Sequence, residues 1–257
     1  MMSRTILSAR LIQLGFIAVA GAAWYWSTAS GSVSKLLLPE PTAVWSAFAR
    51  LVTTAQFWGA VRVTLTTVGQ AYGIAVVAGL LTGFVVTRSR FLIDLTEPFI
   101  AGLFTIPVTL FFPMFILFFG IGTGSKIAYG ATYAFFPVAL NSIACFASVD
   151  PHFLRAARAM GATRWDGFRH VLVPAAFPVL LNGMRIGFFI CFASVLGGET
   201  LSSVAGIGRN IAQAAELMEP ARMYAWIAFV VVTVITLNLV VGSFEKRARI
   251  GGGGAWG

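Results

Sequence analysis

The chain has 257 residues, of which 58% are hydrophobic and only 11% are charged. An ordinary soluble domain would carry about a quarter charged residues, so this composition excludes that class of protein. Lys and Arg outnumber Asp and Glu by 18 to 9. In a membrane protein such an excess indicates loops beside anionic lipid headgroups, and we expect the bilayer as a partner and no nucleic acid.

Apolar runs of about 20 residues, enough to cross a bilayer as a helix, recur along the sequence. They predict an all-α membrane protein with about six transmembrane helices. The first run resembles a signal peptide, but Trp24-Tyr25-Trp26 stands where a cleavage site would lie, so we expect it to remain as a span. The predicted spans are 11–28, 63–87, 98–119, 127–147, 177–196 and 223–241.

The distribution of basic residues predicts that both termini lie in the cytoplasm, because cytoplasmic loops are enriched in Lys and Arg. Arg185 falls within a predicted span. The predicted cytoplasmic set is Arg4, Arg10, Arg88, Arg90, Arg155, Arg158, Arg164, Arg169, Lys246, Arg247 and Arg249, and the smaller external set is Lys35, Arg50, Arg62, Lys126, Arg209 and Arg222.

Glycines four residues apart occur in the second and fifth predicted spans. Such pairs let helix backbones approach closely, within one chain or between subunits, and the sequence leaves both interpretations open. Short amphipathic helices are predicted on the outer surface after Pro41 and over residues 209–219. The glycine pairs are Gly69 with Gly73, Gly79 with Gly83, and Gly183 with Gly187.

Three polar side chains and two prolines are candidates for a translocation path or its surroundings. Pro107 and Pro113 predict kinks in the third span, which serve either a solute path or helix packing. Arg185, with Asn182 three residues before it, would sit roughly 12 Å deep in the fifth span. It would either meet an anion or cap carbonyls inside the bundle. Glu199 ends that span as a gate residue or as a solvated helix end.

A polar loop between the fourth and fifth spans has strong helix signals. Asp150-Pro151 predicts a helix start, Gly161 its left-handed end, and Thr163 with Asp166 a capping box for a second helix. Pro174 is expected to stop that second helix.

This loop has apolar and basic faces, which favour docking on a partner protein, with binding to lipid headgroups as the alternative. One predicted apolar face holds Phe153, Ala157 and Met160, a second stripe holds Trp165, Phe168 and Leu172, and the polar face holds His152, Arg155 and Arg158.

The loop resembles the conserved cytoplasmic motif of binding-protein-dependent ABC importer permeases, which reads Glu-Ala-Ala, three residues, Gly, nine residues, Ile-x-Leu-Pro. The chain departs from it at Arg155, which replaces the Glu, and at Val171 and Val173, which replace Ile and Leu. Further segments are similar to the nitrate/sulfonate/taurine branch, over roughly residues 36–247. They are Leu37-Leu38-Pro39-x-Pro41-x-Ala43-Val44, Phe118-Phe119-Gly120-Ile121-Gly122, Ser148-Val149-Asp150-Pro151, Glu199-Thr200 and Gly206-Ile207-Gly208.

The resemblance implies a type I importer permease with a first helix over 1–35, a permease domain over 36–247 and a Gly-rich tail over 248–257. It implies a coupling loop over 148–175 that docks on an ATPase subunit, present in two copies in the complex. It also implies a periplasmic or lipid-anchored binding protein that delivers substrate, and pairing of two permeases, for which we expect a second copy of this chain. Residues expected to serve coupling are Arg155, Ala156, Ala157, Arg158, Met160, Gly161, Ala162, Trp165 and Pro174.

The chain itself is expected to be neither an enzyme nor a cofactor or metal protein, since residues 120–126 lack the Gly-Lys-[Ser/Thr] ending of a phosphate loop. ATP and Mg²⁺ would bind the partner. A stand-alone secondary transporter or channel is the alternative, but it predicts paired ionisable residues or inverted repeats, which Arg185 alone does not meet. The branch favours a small anionic substrate.

Overall fold

The computed structural model describes residues 2–252, and within them the side chains of all residues except 2–11, 14, 151, 154, 164, 168, 172, 175, 176, 178, 179 and 244–252. Within this range every regular element is a helix, and there are no strands. The helices are α1 (Met2–Ala29), α2 (Pro41–Leu51), α3 (Ala55–Val86), α4 (Arg90–Thr105), a 3-10 helix (Val108–Phe111), α5 (Phe112–Phe119), α6 (Thr123–Ser148), α7 (Pro151–Ala159), α8 (Arg164–Asp166), a π-helix (Gly167–Leu172), α9 (Val173–Leu201), α10 (Ile207–Glu216) and α11 (Pro220–Gly252).

In the described part of the chain, four single helices are long and apolar enough to cross a membrane: Ala55–Val86, Thr123–Ser148, Leu180–Leu201 and Pro220–Ser243. They agree with the second, fourth, fifth and sixth predicted spans. The predicted first span lies on α1 and is not among these four, and its side chains at 11 and 14 lie outside the described set. The predicted tail over 248–257 likewise lies outside the described side chains.

The third predicted span is broken, not merely kinked. Helix α4 and the segment Val108–Phe119 meet at an angle of 75°, so together they form one broken span or a re-entrant loop. Pro107 precedes the 3-10 helix, where its fixed φ and missing donor suit a break. Pro113 lies in the first turn of α5, where helices leave amide donors unused. The predicted kink at Pro113 was therefore wrong, since a new helix begins there.

The described chain forms two compact units, Met1–Gly59 with Asn210–Val231, and Ala60–Arg209 with Val232–Gly257. They do not follow the predicted division at residue 35, which stays a prediction. In the first unit, Val44 of α2 is buried with Ala225 of α11, and the rings of Phe57 and Trp226 stack at 4.9 Å between centroids. On α10, which covers most of the helix predicted over 209–219, Ala214 is buried and Ala215 is exposed.

The second unit is built around α6, which packs along α9 and against α3. A Cβ atom at Gly79 would lie 2.6 Å from a methyl carbon of Val138, and one at Gly187 would lie 2.5 Å from the other methyl carbon. Real Cβ atoms do not approach so closely, so these glycines let three helices meet. Gly69 and Gly73 have open space around their Cβ positions. Two of the three glycine pairs therefore serve packing within the chain.

Candidate functional site

The loop between α6 and α9 begins with helix α7, whose two ends are fixed by short-range hydrogen bonds. Asp150 Oδ1 accepts the His152 amide at 2.8 Å. At the other end Gly161 has φ +87°, the left-handed conformation that favours glycine. The amides of Gly161 and Ala162 donate to the carbonyls of Arg158 and Ala157, both at 3.0 Å. This pattern is a Schellman motif, and it confirms the predicted helix start and glycine stop.

The next turn is closed by the predicted capping box. Thr163 N–H donates to Asp166 Oδ2 at 3.0 Å, and the Asp166 amide donates to Thr163 Oγ1 at 3.2 Å. Hydrogen bonds from Thr163, with a lesser contribution from His170, lower the pKa of Asp166. A lowered pKa means that the ionised cap is complete at neutral pH and is lost only as pH falls through that value.

The predicted helix stop at Pro174 was wrong, because the helical path continues through this residue. Helix α8 passes through the π-helix Gly167–Leu172 directly into α9, which starts at Val173. Proline is tolerated there because the wider π turn precedes it and the first turn of α9 needs fewer donors. The loop is therefore rigidly continuous with a membrane span on its C-terminal side.

The loop exposes large apolar side chains beside cationic ones. Met160 is 82% exposed, and Phe153 and Trp165 are also exposed, whereas Ala157 is buried. The predicted common face of Phe153, Ala157 and Met160 is therefore divided, with Ala157 alone turned inward. The side chains of Phe168 and Leu172, placed in the second predicted stripe, lie outside the described set. The other coupling candidates are mostly exposed: Arg155, Ala156, Arg158, Gly161 and Pro174, with Ala162 half-buried.

Arg185 in α9 contacts α11 through Asn238, a residue that no pattern in the sequence singled out. Its Nε donates to Asn238 Oδ1 at 3.0 Å, and Nη2 donates to the same oxygen. Asn182 is exposed. One helix away, Asn141 Oδ1 is buried and has no hydrogen-bond partner among the described residues. Of the polar side chains in this region, Arg185 and Asn238 are the pair that a hydrogen bond joins directly in the described structure.

Glu199 is buried, so it is not a solvated helix end. Its carboxylate accepts the Thr64 hydroxyl at 2.8 and 2.9 Å and the Gly208 amide at 2.9 Å. Lys126, predicted in an external loop, is buried as well, and its Nζ donates to the Ile121 carbonyl. Sequence reasoning missed Thr64 and Lys126 as partners, although the glycines around residue 207 could have indicated a close backbone approach.

A cleft of about 630 Å³ lies in the first unit. Four of its charged side chains form two ion pairs, Lys35 with Glu40 at 2.7 Å and Arg222 with Glu219 at 3.0 Å. Lys35 lowers the pKa of Glu40 by hydrogen bonding and charge. None of the predicted path residues lines this cleft. Across the described residues, His, Cys, Asp and Glu form no group of three or more that could hold a metal ion.

Comparison with known proteins agrees with the loop and the spans. A family model described as binding-protein-dependent transport system inner membrane component matches residues 75–250. The taurine transport system permease protein TauC of Escherichia coli (strain K12) is 27% identical over 244 residues, covering 92% of this chain and 88% of TauC. The riboflavin transport system permease protein RibX of Chloroflexus aurantiacus is 26% identical, covering 87% of this chain and 83% of RibX.

The putative aliphatic sulfonates transport permease protein SsuC of Bacillus subtilis (strain 168) is 28% identical, covering 87% of this chain and 81% of SsuC. Among solved structures, a chain of the MetNI methionine ABC transporter has the same fold, with a TM-score of 0.63 at 20% identity over 75% of this chain and 97% of that one. The chain therefore belongs to the family of binding-protein-dependent transport system inner membrane components, the permeases of ABC importers.

Proposed function

We propose that this chain forms the solute path of an importer that a separate ATPase drives and a periplasmic or lipid-anchored binding protein supplies. The exposed loop over 148–175 carries the proposal. Its Schellman motif and capping box hold Met160 and Trp165 at fixed positions beside arginines. A rigid surface of this composition suits a groove on another protein, whereas lipid headgroups would need charge but no such fixed geometry.

The energy source is placed outside this chain for a chemical reason. The glycine-rich segment over 120–126 has the appearance of a phosphate loop, but Lys126 is buried and donates to the Ile121 carbonyl. A lysine held in this way does not offer its ammonium group to a phosphate. Both termini are proposed to lie in the cytoplasm, which puts the loop on the side where an ATPase would bind.

The assembly is proposed to hold two copies of this chain and two ATPase copies. The spans Pro220–Ser243 and Ala55–Val86 bury little of their apolar surface within the chain, so lipid or a second copy must cover it. Two facing copies can enclose a path for a polar solute. The test is co-purification with the ATPase and binding protein encoded by neighbouring genes, followed by mass measurement and uptake into proteoliposomes. A complex with one copy, or uptake without ATP, would contradict the proposal.

The substrate is proposed to be a small anion of the sulfonate class. TauC and SsuC are named for taurine and aliphatic sulfonates, while RibX is named for riboflavin, so the relatives alone do not decide. Arg185 favours the anion, because it places a guanidinium group within the fifth span, where it donates to Asn238. A cation beside the path lowers the barrier that an anion meets in a region of low dielectric constant. Asn182, Glu199, Pro107 and Pro113 remain proposals as path residues, and burial of Glu199 weighs against its contact with solute.

Replacing Arg185 by Gln is expected to slow uptake of taurine or a related sulfonate by about tenfold, a barrier change of about 1.4 kcal/mol. Arg185→Lys should retain clearly more uptake, because it keeps the charge. Rates are measured in proteoliposomes at saturating loaded binding protein, normalised to inserted complex. Arg62→Gln, at an exposed arginine of α3, is the matched control and should be unaffected. Equal loss with Gln and Lys would assign Arg185 a structural role.

A further inference from the structure

The end of α9 is tied to two distant parts of the second unit through one buried carboxylate. Glu199 accepts the Thr64 hydroxyl from α3 at 2.8 and 2.9 Å. The same hydroxyl accepts the Ile207 amide at 2.9 Å, and the Gly208 amide donates directly to Glu199 at 2.9 Å. The first two amides of α10 therefore end on this carboxylate, directly or through Thr64. The arrangement satisfies donors that a helix start leaves unused.

The backbone is closed tightly around the carboxylate. Gly206 has φ +111°, and a Cβ atom there would lie 2.3 Å from Glu199 Cδ. A Cβ atom at Gly208 would lie 2.5 Å from the Leu196 carbonyl oxygen. Both glycines are required for the turn over 202–206 to fold back onto α9. The position of this turn therefore depends on the carboxylate that it surrounds.

Lys126 is a second buried charged residue, and it binds the backbone at the end of the broken span. Its side chain is buried at the start of α6, and Nζ donates to the Ile121 carbonyl just after α5. The Nζ atom lies 6.0 Å from the centroid of the Phe112 ring. A Cβ atom at Gly198 would contact both the Phe112 ring and Lys126 Cγ. Gly198 immediately precedes Glu199, so the side chain of Lys126 runs beside the part of α9 that carries the buried carboxylate.

Two buried opposite charges at the ends of apolar helices are costly to desolvate, and removing one partner leaves the other uncompensated. Such a pair is useful where it favours one arrangement of the helices around it over others. Here the surrounding elements are the broken span, the start of α6, the end of α9, helix α3 and the turn before α10. The residues that make these contacts all belong to the second unit.

We propose that Glu199 and Lys126 are positioning residues for transport: together they hold the turn over 202–206 and the segment over 112–121 as one body at the outer mouth of the path. The proposal rests on the proposed function for its location and purpose. Solute would pass beside these two segments, and neither charged group would contact it. Neutralising one charge should make the turn over 202–206 more mobile, and neutralising both should restore most of its fixed position.

Thiol labelling from outside the membrane tests the arrangement. Ile207 is 2% exposed and Val204, three residues earlier, is 81% exposed. With a membrane-impermeant maleimide on intact cells or spheroplasts, we expect Val204→Cys to react at once and Ile207→Cys to react slowly. The two native cysteines are buried, so the chain without added thiols provides the baseline.

Adding Glu199→Gln or Lys126→Met to Ile207→Cys should speed its labelling by about tenfold, and the double neutral variant should return most of the protection. Glu216→Gln, the same change at an exposed residue of α10, should leave labelling unchanged. Restoration by the second neutralisation separates a charge pair from simple misfolding, which two substitutions would worsen. Unchanged labelling in the single variants, or no restoration in the double variant, would overturn the proposal.

A second measurement uses the chain without added cysteines, so it does not depend on the Ile207 substitution. Uptake per inserted complex should fall by about fivefold or more in Glu199→Gln and recover in the double variant. Wild-type uptake by Glu199→Gln would overturn the proposal. If the unsubstituted complex itself shows no ATP-driven uptake, the proposed function fails, while the labelling results still decide whether the charge pair holds the turn.

Discussion

Replacing Gly161 by Val is expected to abolish most ATP-driven uptake while the protein remains in the membrane. Gly161 has φ +87°, and a Cβ atom there would have open space around it. The cost therefore comes from the backbone conformation and not from a clash, at about 1–2 kcal/mol for a residue with a Cβ atom. A β-branched side chain is worse. Relieving that strain breaks the Schellman bonds to Arg158 and Ala157 and moves Met160 relative to the rest of the loop.

The measurements are solute-stimulated ATP hydrolysis and uptake in the reconstituted complex. A change of 1–2 kcal/mol alters the ratio of the native turn to a rearranged turn by about 5–30-fold, so the loss of uptake should be large. Gly161→Asn should retain more activity, because Asn tolerates the left-handed region. Gly59→Val is the control, since Gly59 is an exposed helical glycine with open space and an ordinary φ. Normal stimulation and uptake in Gly161→Val would exclude a docking role for this turn.

Replacing Gly83 by Ala is expected to destabilise the membrane bundle even though only one methyl group is added. The new Cβ atom would lie 2.4 Å from Ser142 Cβ and 2.9 Å from the Ser142 carbonyl carbon. Backbone atoms cannot rotate away, so α3 and α6 must separate. Overpacking of this kind costs about 1–3 kcal/mol. We expect a lower melting temperature in detergent and less folded protein in membranes.

Gly73→Ala supplies the matched control in the same helix. Gly73 also stands in a pair of glycines four residues apart, but nothing lies within 4 Å of its Cβ position. Its melting temperature should equal or exceed that of the unsubstituted chain, because Ala favours a helix over Gly. A comparable loss of stability in both variants would show that the contact with Ser142 is not its cause, and an unchanged melting temperature for Gly83→Ala would show that the helices pack less closely there than this contact implies.

Several features could be predicted because neighbouring residues determine them. The end of α7 needs only a glycine that adopts positive φ, and the turn after it needs only Thr163 and Asp166 three residues apart. Four spans were predicted because apolar length is a local property, with bounds close to those of the helices except that the second helix begins at Ala55, well before the predicted residue 63. The same locality explains the failures at Pro113 and Pro174. Proline disfavours the interior of a helix, but it does not say whether the chain continues as a helix through another turn.

The burial and the partners of two charged side chains were identified only by tertiary structure. Lys126 and Glu199 are far apart in sequence, and each alone resembles an ordinary charge near a helix end. Asn238 gave no signal until Arg185 was seen to donate to it. Which glycine pair packs within the chain also depends on where α6 lies, since Gly73 and Gly83 share one helix and one motif.

The sequence by itself determined the class of membrane protein, most of the spans, and the capped turns of the loop over 148–175. Each of these depends on apolar length or on hydrogen bonds between residues a few positions apart. Tertiary structure alone decided that the third span is broken, that Glu199 is buried with Thr64 and Gly208, and that Lys126 holds the segment before α6. The physical reason is that burial of a charge depends on which helices surround it, and that depends on packing across the whole bundle.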